Sequence, residues 1–232
     1  MKVTRIAYST GLNVGKYGAL REQARRLGRV RSEVWQRYGS IAGVGLTDRQ
    51  VRDRWLADGT YMRFGVLANA WKETVRDAMA DLSANLAAAK VEVRRAIHRH
   101  TSDPVERTRM LHALKADRWA GDPFLSRQMR KQWKRGRNRT HDQIVVRADS
   151  YNTDVDGRGR LWLSVPGLQR RRMVKIPLST AVAPKGTLRL ILRGGRVEVH
   201  SDRRVRDAVV AAPVRRPDRR CGQGLHRGPG RL

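Results

Sequence analysis

The chain has 232 residues, with 50 Lys and Arg against 21 Asp and Glu, which leaves a formal net charge of +29. Such an excess of positive charge repels itself unless a polyanion neutralises it, so the composition indicates a nucleic-acid partner. The apolar runs are too short for a bilayer and nothing resembling a signal peptide opens the chain, so we expect a cytoplasmic protein without a membrane partner. The single cysteine, Cys221, excludes an internal disulfide, and we expect no metal ion, cofactor or small-molecule substrate.

The chain is predicted to open with a short strand and to continue as helices. Residues 3–8 alternate apolar and polar side chains, and the Gly-rich residues 11–18 predict a break. Apolar residues then recur at helical spacing from Ala19 to Tyr38. The next helix is predicted to begin after Thr47, which forms a capping box with Gln50. Two consecutive helices also fit a helix-turn-helix, which is an alternative for this region.

The clearest periodicity runs from Phe64 to Ile97, where apolar residues recur at steps of 3, 4 and 4. This eleven-residue repeat keeps one apolar stripe on a nearly straight helix and predicts a long bundle helix. Because Phe64 and Trp71 lie on the stripe, we expect them in the core rather than against nucleobases. Pro104 and Pro123 each follow an aspartate, which predicts the start of two further helices.

The last predicted helix ends in the basic run 127–139, which holds seven Arg or Lys and no acid. A solvated helix face interleaves acids with its cations, as residues 103–118 do, so this run indicates a contact with phosphates. Trp133 inside the run fits either packing or stacking on a base. A second basic cluster falls at a turn between strands, where an ordinary solvated turn is an equal alternative. The candidate nucleic-acid-binding residues are Arg127, Arg130, Lys131, Trp133, Lys134, Arg135, Arg137, Arg139, Arg170, Arg171, Arg172 and Lys175.

From residue 140 the sequence pattern changes to short strands separated by turns. The predicted strands are QIVVRA, RLWLSVP, RRRMVKIPL, GTLRLIL and GRVEVH. They suit a small twisted sheet or an incomplete barrel of the oligonucleotide-binding kind. The predicted fold class is therefore α+β, with a helical bundle inserted into a small antiparallel β-barrel or sheet. Asp149, Asp154 and Asp156 lie on or beside a loop, and we expect them to be solvated turn acids rather than catalysts.

Residues 161–200, LWLSVPGLQRRRMVKIPLSTAVAPKGTLRLILRGGRVEVH, resemble the strand region of the TnpB/OrfB proteins of insertion sequences, which are RNA-guided nucleases related to type V CRISPR effectors. The resemblance lies in WLS, a basic turn, IPL, PKGTLRL and VEVH, and upstream NVGKYGALREQAR and WKETV agree in layout. It implies that residues 1–12 are the first strand of a split barrel, 13–139 a helical recognition lobe and 140–200 a wedge-like antiparallel barrel. The implied partners are guide RNA and target DNA.

Residues 201–232 hold nine arginines and no lysine, with Gly and Pro but no strand pattern. The resemblance implies that a RuvC-type nuclease domain should follow His200, opening with a strand of the form VGVDKG whose aspartate is the first of three acidic Mg²⁺ ligands. Synonymous codons for Cys221–Gly228, read one base later, spell VDKGYTEV, so we interpret this segment as a shifted reading frame that begins near Ser201. The alternative is a genuine disordered basic tail that binds RNA or DNA.

The leading expectation is the nucleic-acid-binding amino-terminal portion of a TnpB-like, transposon-encoded RNA-guided DNA endonuclease. In this interpretation the nuclease domain is absent, so no catalytic residue and no metal ligand is predicted. One alternative is a standalone, nuclease-dead repressor guided by RNA, or a generic basic DNA- or RNA-binding protein. Another is a transposase or endonuclease whose acidic residues come from a partner chain, so it stays open whether the chain is an enzyme.

Overall fold

The structure is a computed structural model, and it describes residues 2–41, 45–133 and 137–204. Strand β1 (Lys2–Tyr8) comes first, and the helices that follow are α1 (Val14–Tyr38), α2 (Asp48–Ala57), α3 (Ala68–His100), α4 (Pro104–Lys115) and α5 (Pro123–Gln132). The chain then continues with β2 (Gln143–Val146), β3 (Asn152–Val155), β4 (Leu161–Pro166), β5 (Met173–Pro177), β6 (Leu188–Arg193) and β7 (Arg196–Arg204). The fold class is α+β, as the sequence predicts. The last part of the predicted tail, 205–232, lies outside the described residues.

The described strands form two small antiparallel sheets rather than one closed barrel. Their orders are β1-β7-β6-β2 and β3-β4-β5. A bridge between Ser9 and Leu178 joins the two sheets where β1 and β5 end, and the Ser179 N–H donates to the Tyr8 carbonyl beside it. Pro177 is the last residue of β5, and its missing N–H cannot extend a ladder across this junction.

Several elements differ from the prediction, among them β3, which the sequence did not predict. Helix α1 begins at Val14 rather than Ala19, because the Asn13 side chain caps it by accepting from the Lys16 N–H. The expected break at 11–18 is therefore largely helical. Strand β3 has no apolar alternation and forms through its pairing with β4. Strand β7 continues past His200, since residues 201–204 pair with residues 2–5 of β1.

The other helices follow the sequence closely, except that α5 ends at Gln132 and does not extend through the basic run to residue 139. Thr47 and Gln50 form the predicted capping box at the start of α2. The apolar stripe lies on α3, although Phe64 itself belongs to a short 3-10 turn before the helix. Nine residues, 39–47, separate α1 from α2, and this connection is much longer than the three- or four-residue turn of a helix-turn-helix. The length of this connection is therefore inconsistent with a helix-turn-helix.

Helices α1 and α3 are shared between three apolar clusters. Leu20, Ala24 and Leu27 of α1 pack on the strands. The other end of α1 packs with α2 and the first half of α3, where the rings of Trp55 and Trp71 stack at 6.1 Å between centroids. The second half of α3 packs with α4 and α5. The strands and α5 therefore lie toward opposite ends of α3.

A buried ion-pair network joins α1 and α3 to the first sheet. Asp77 of α3 is 8 % exposed and accepts from Arg31 of α1 and, at 2.5 Å, from Arg189 of β6. Gln143 of β2 donates to the same carboxylate at 3.2 Å. Arg31 also reaches Asp81 at 2.8 Å, and burial raises the pKa of the Asp81 carboxyl. One carboxylate thus connects four elements.

Replacing Asp77 by asparagine should cost about 3–5 kcal/mol of unfolding free energy, because it leaves the buried Arg31 guanidinium without a full countercharge. Urea denaturation followed by circular dichroism measures this loss. The matched control is Asp53→Asn on α2, whose exposed carboxylate lies 3.9 Å from Arg49. The control should change stability by less than about 0.5 kcal/mol. Equal losses in the two variants would contradict a central role for Asp77.

Candidate nucleic-acid interface

The solvent-facing side of α5 carries cations without nearby acids. Leu125 and Met129 are fully buried against the helical core, which leaves the opposite side of α5 exposed. The one acid at this helix, Asp122, caps its first turn and pairs with Arg109 of α4 at 3.0 Å. Spacing of three and four residues places the cations on one face. In the described part of the chain none of them forms an ion pair; they are Arg127, Arg130 and Lys131.

Trp133, by contrast, belongs to the core. Its ring is 9 % exposed and packs with the second half of α3, with α4 and with α5. Its indole N–H donates to the carbonyl of Gly39 at 3.1 Å. The ring faces are covered, which favours the packing role over base stacking, and we leave Trp133 out of the interface. Lys134 and Arg135, which were predicted beside it, lie outside the described residues.

The segment after α5 runs along α1. The Asn138 side chain donates to the carbonyl of Gly28 and to the hydroxyl of Ser32, both at 3.0 Å. His141 follows against the same glycine, where an added Cβ would lie 3.1 Å from the His141 Cα. A side chain at position 28 would therefore require His141 to shift by a few tenths of an ångström. Arg137 and Arg139 flank Asn138 and are exposed.

Helix α1 adds arginines that the sequence pattern did not single out. Arg21, Arg25 and Arg29 are exposed and spaced four residues apart. Gly28 lies seven residues after Arg21, so the side of α1 that carries Asn138 also carries these arginines. Glu22 pairs with Arg25 at 2.7 Å, and hydrogen bonds from Arg25 and Arg26 hold the pKa of its carboxyl at about 2. The row of arginines at steps of four was the signal that could have revealed this surface.

We call the combined surface the basic track, and it follows α1. It begins at the contact between Trp133 and Gly39 and passes Asn138 at Gly28. From Gly39 to Arg21 the helix rises about 27 Å. The basic track consists of Arg127, Arg130, Lys131, Arg137, Arg139, Arg21, Arg25 and Arg29.

The second predicted cluster lies elsewhere, at the turn between β4 and β5. Arg170, Arg171, Arg172 and Lys175 are all exposed, and Arg171 has a φ of 64°. The Gly167 N–H donates to the Arg172 carbonyl at 2.8 Å, which closes the turn. Arg170 lies beside the first turn of α3, whereas α5 packs near Ile97. The length of α3 between them, roughly 40 Å, means that the two clusters do not form one patch.

The acids near β3 stabilise turns. Asp156 accepts from the Trp162 indole at 3.0 Å and from the N–H groups of Arg158 and Arg160 at 2.9 Å each. The Trp162 hydrogen bond is the main reason that the pKa of Asp156 lies below its ordinary value. Asp149 pairs with Arg147 at 2.7 Å, and Asp154 belongs to β3 itself.

The described residues contain no group of three or more His, Cys, Asp and Glu side chains placed to share a metal ion. Their helices include none that combines the length and the apolar character needed to cross a bilayer. In comparisons with known proteins, no family model matches the chain and no curated protein matches it.

Trp133→Leu tests the packing role directly. Removing part of a buried indole should lower the unfolding free energy by roughly 2–4 kcal/mol. The folded variant should retain its affinity for single-stranded RNA in a fluorescence anisotropy titration. A stacking role would instead weaken binding by roughly tenfold or more, because base–aromatic stacking is worth about 1–3 kcal/mol.

Proposed function

We propose that this chain binds a nucleic-acid strand along the basic track. The observation that carries the proposal is the distribution of ion pairs. Acids elsewhere on the helices are engaged by other cations: Glu33 pairs with Arg37 and Arg63, and Asp48 pairs with Arg52. Within the described residues, Glu22 is the acid that pairs with a member of the basic track. The remaining cations of the track are therefore available to phosphates.

The length of the basic track suits a short stretch of one strand. About 27 Å of helix corresponds to roughly eight nucleotides at the axial spacing of about 3.4 Å per nucleotide in a duplex strand. The cations sit on helices and on a segment anchored by Asn138, so they are held in place before binding. Arginine suits this role because its planar guanidinium matches phosphate oxygens in pairs.

We further propose that the chain is a nucleic-acid-binding protein of the TnpB/OrfB kind, with guide RNA and target DNA as its partners. The layout supports this proposal. Helices α1–α5 lie between β1 and β2 in the sequence, and β1 pairs with β7 from the other end of the described chain. A helical lobe inserted between two strands of one sheet is the arrangement that the resemblance to TnpB/OrfB proteins implies. The motifs WLS, IPL and VEVH fall on or at the ends of β4, β5 and β7.

Neutralising the α5 face tests the basic track. In the triple variant Arg127→Gln, Arg130→Gln, Lys131→Gln, the slope of log affinity against log salt should fall by about 2 units, since each phosphate contact contributes about 0.7–0.9. Fluorescence anisotropy with a labelled single-stranded RNA at salt concentrations from about 50 to 200 mM gives this slope. Preference among RNA sequences should change little, because phosphate contacts carry no sequence information.

The matched control removes three charges from α2, with Arg49→Gln, Arg52→Gln and Arg54→Gln. These cations alternate with Asp48 and Asp53 along the helix, so the control should keep a salt slope close to that of the parent protein. An equal decrease in both triple variants would mean that net charge alone governs binding, and it would overturn the basic track as the binding surface.

A further inference from the structure

A cavity of about 310 Å³ opens where α1, α3 and the strands meet. Its walls come from the first turn of α3, from β2, and from Pro166 at the end of β4. Most of this lining is apolar, with Leu67 and Ala70 on one side and Ile144 and Val146 on the other. The volume is at the lower end for a ligand site, which suits a flat group of one or two rings.

A buried amide in the cavity lacks a partner. Gln23 of α1 is 3 % exposed and lines the cavity, and its Oε1 atom accepts no hydrogen bond from the described residues. A buried oxygen without a donor costs free energy, so such atoms are rare in folded proteins. Gln23 lies at the level of Arg21 and Arg25 along α1 but on the opposite side of the helix, because residues two apart do not share a face. The cavity therefore lies at the level of the end of the track but across the width of α1, a distance of about 10 Å.

The polar groups of the cavity favour a neutral ligand with N–H donors over a phosphate. The buried carboxylate of Glu73 also lines the cavity, and it would repel an anion inside. The Arg147 Nε atom lies 3.8 Å from the Glu73 carboxylate. The side chain of Arg147 is half-exposed, and it lies with Arg170 at the cavity margin. The margin thus favours a phosphate group, and the interior of the cavity favours a neutral ring.

The first turn of α3 offers further donors. Its cap residue, Leu67, has no side chain that can accept from the first amides of the helix. The Ala70 and Trp71 N–H groups donate to the Leu67 carbonyl, so the free amides of this turn are those of Ala68 and Asn69. Both residues line the cavity or its margin. These N–H groups can donate to carbonyl oxygens of a ring.

We propose that the cavity receives one unpaired nucleobase of the strand bound to the basic track. The inference rests on the proposed function and adds to it a site that reads a base rather than a phosphate. A base N–H or amino group donates to Gln23 Oε1, the ring packs between Ala70 and Ile144, and the flanking phosphates meet Arg147 and Arg170. A paired base does not fit, because its donor edge is already used and its partner blocks entry.

The test compares two labelled strands of equal charge: a twelve-nucleotide single-stranded RNA and an abasic oligomer of the same length. The parent protein should bind the RNA roughly tenfold more tightly, because only the RNA offers bases. Gln23→Leu should abolish this preference and leave affinity for the abasic strand unchanged. The same variant should be as stable as the parent protein or more stable, since it removes an unpaired buried oxygen.

Two further variants separate the parts of the site. Arg170→Gln should weaken binding of both strands by the same factor, because it removes a phosphate contact at the margin. Ala70→Leu fills the cavity from α3 and should also abolish the preference for RNA, which keeps the test valid if Gln23→Leu does not fold. Equal affinity of the parent protein for the two strands, or a preference that survives in Ala70→Leu, overturns the inference.

The binding experiment distinguishes failure of the cavity proposal from failure of the basic-track proposal. If the abasic strand binds with the salt slope expected of the α5 face but neither cavity variant changes the preference for RNA, the cavity proposal fails and the basic track stands. If neither strand binds, both proposals fail.

Discussion

The Asp77 carboxylate is the interaction on which the rest of the structure depends. It is buried, and it is held by cations from α1 and β6 and by an amide from β2. A buried charge is tolerated only when its partners surround it, so the relative positions of these elements are tightly constrained. Of these elements, α1 carries part of the basic track, and α1, α3 and β2 supply most of the cavity wall. The buried ion pairs therefore constrain how α1, α3 and β2 meet around the cavity.

The arginines of this chain divide into two groups by what they face. Arg31 and Arg189 face Asp77, and Arg26 donates to the carbonyl of Gly65, which holds the chain just before α3 against α1. Those of the α5 face and the segment at Asn138 face solvent. A net charge of +29 is thus not a uniform property of the surface. Glu33 and Asp48 on the helices are paired with cations, whereas the cations of the α5 face form no ion pair among the described residues.

Local patterns predicted most of the elements, and tertiary contacts decided the rest. The stripe on α3 and the capping box at Thr47 are encoded within a few turns of chain, so they could be predicted. Strand β3 could not, because its residues show no alternation and only pairing with β4 makes them a strand. The depth of Trp133 depends on Gly39, which is distant in sequence. The burial of Gln23 could not be predicted from the pattern of α1, because β2, which lines the same cavity, is distant in the sequence.

A basic track and an apolar cavity contribute differently to recognition. Phosphate contacts supply affinity that depends on salt and is indifferent to sequence, whereas selectivity requires a group that touches base edges. The cavity has the features that the track lacks: an unpaired oxygen, free backbone amides and apolar walls. An unsatisfied Gln23 weakens the folded protein, and such a cost persists at sites where a ligand provides the missing partner. The unpaired oxygen of Gln23, in a cavity that Arg147 and Arg170 also line, is the strongest link between the fold and the proposed function.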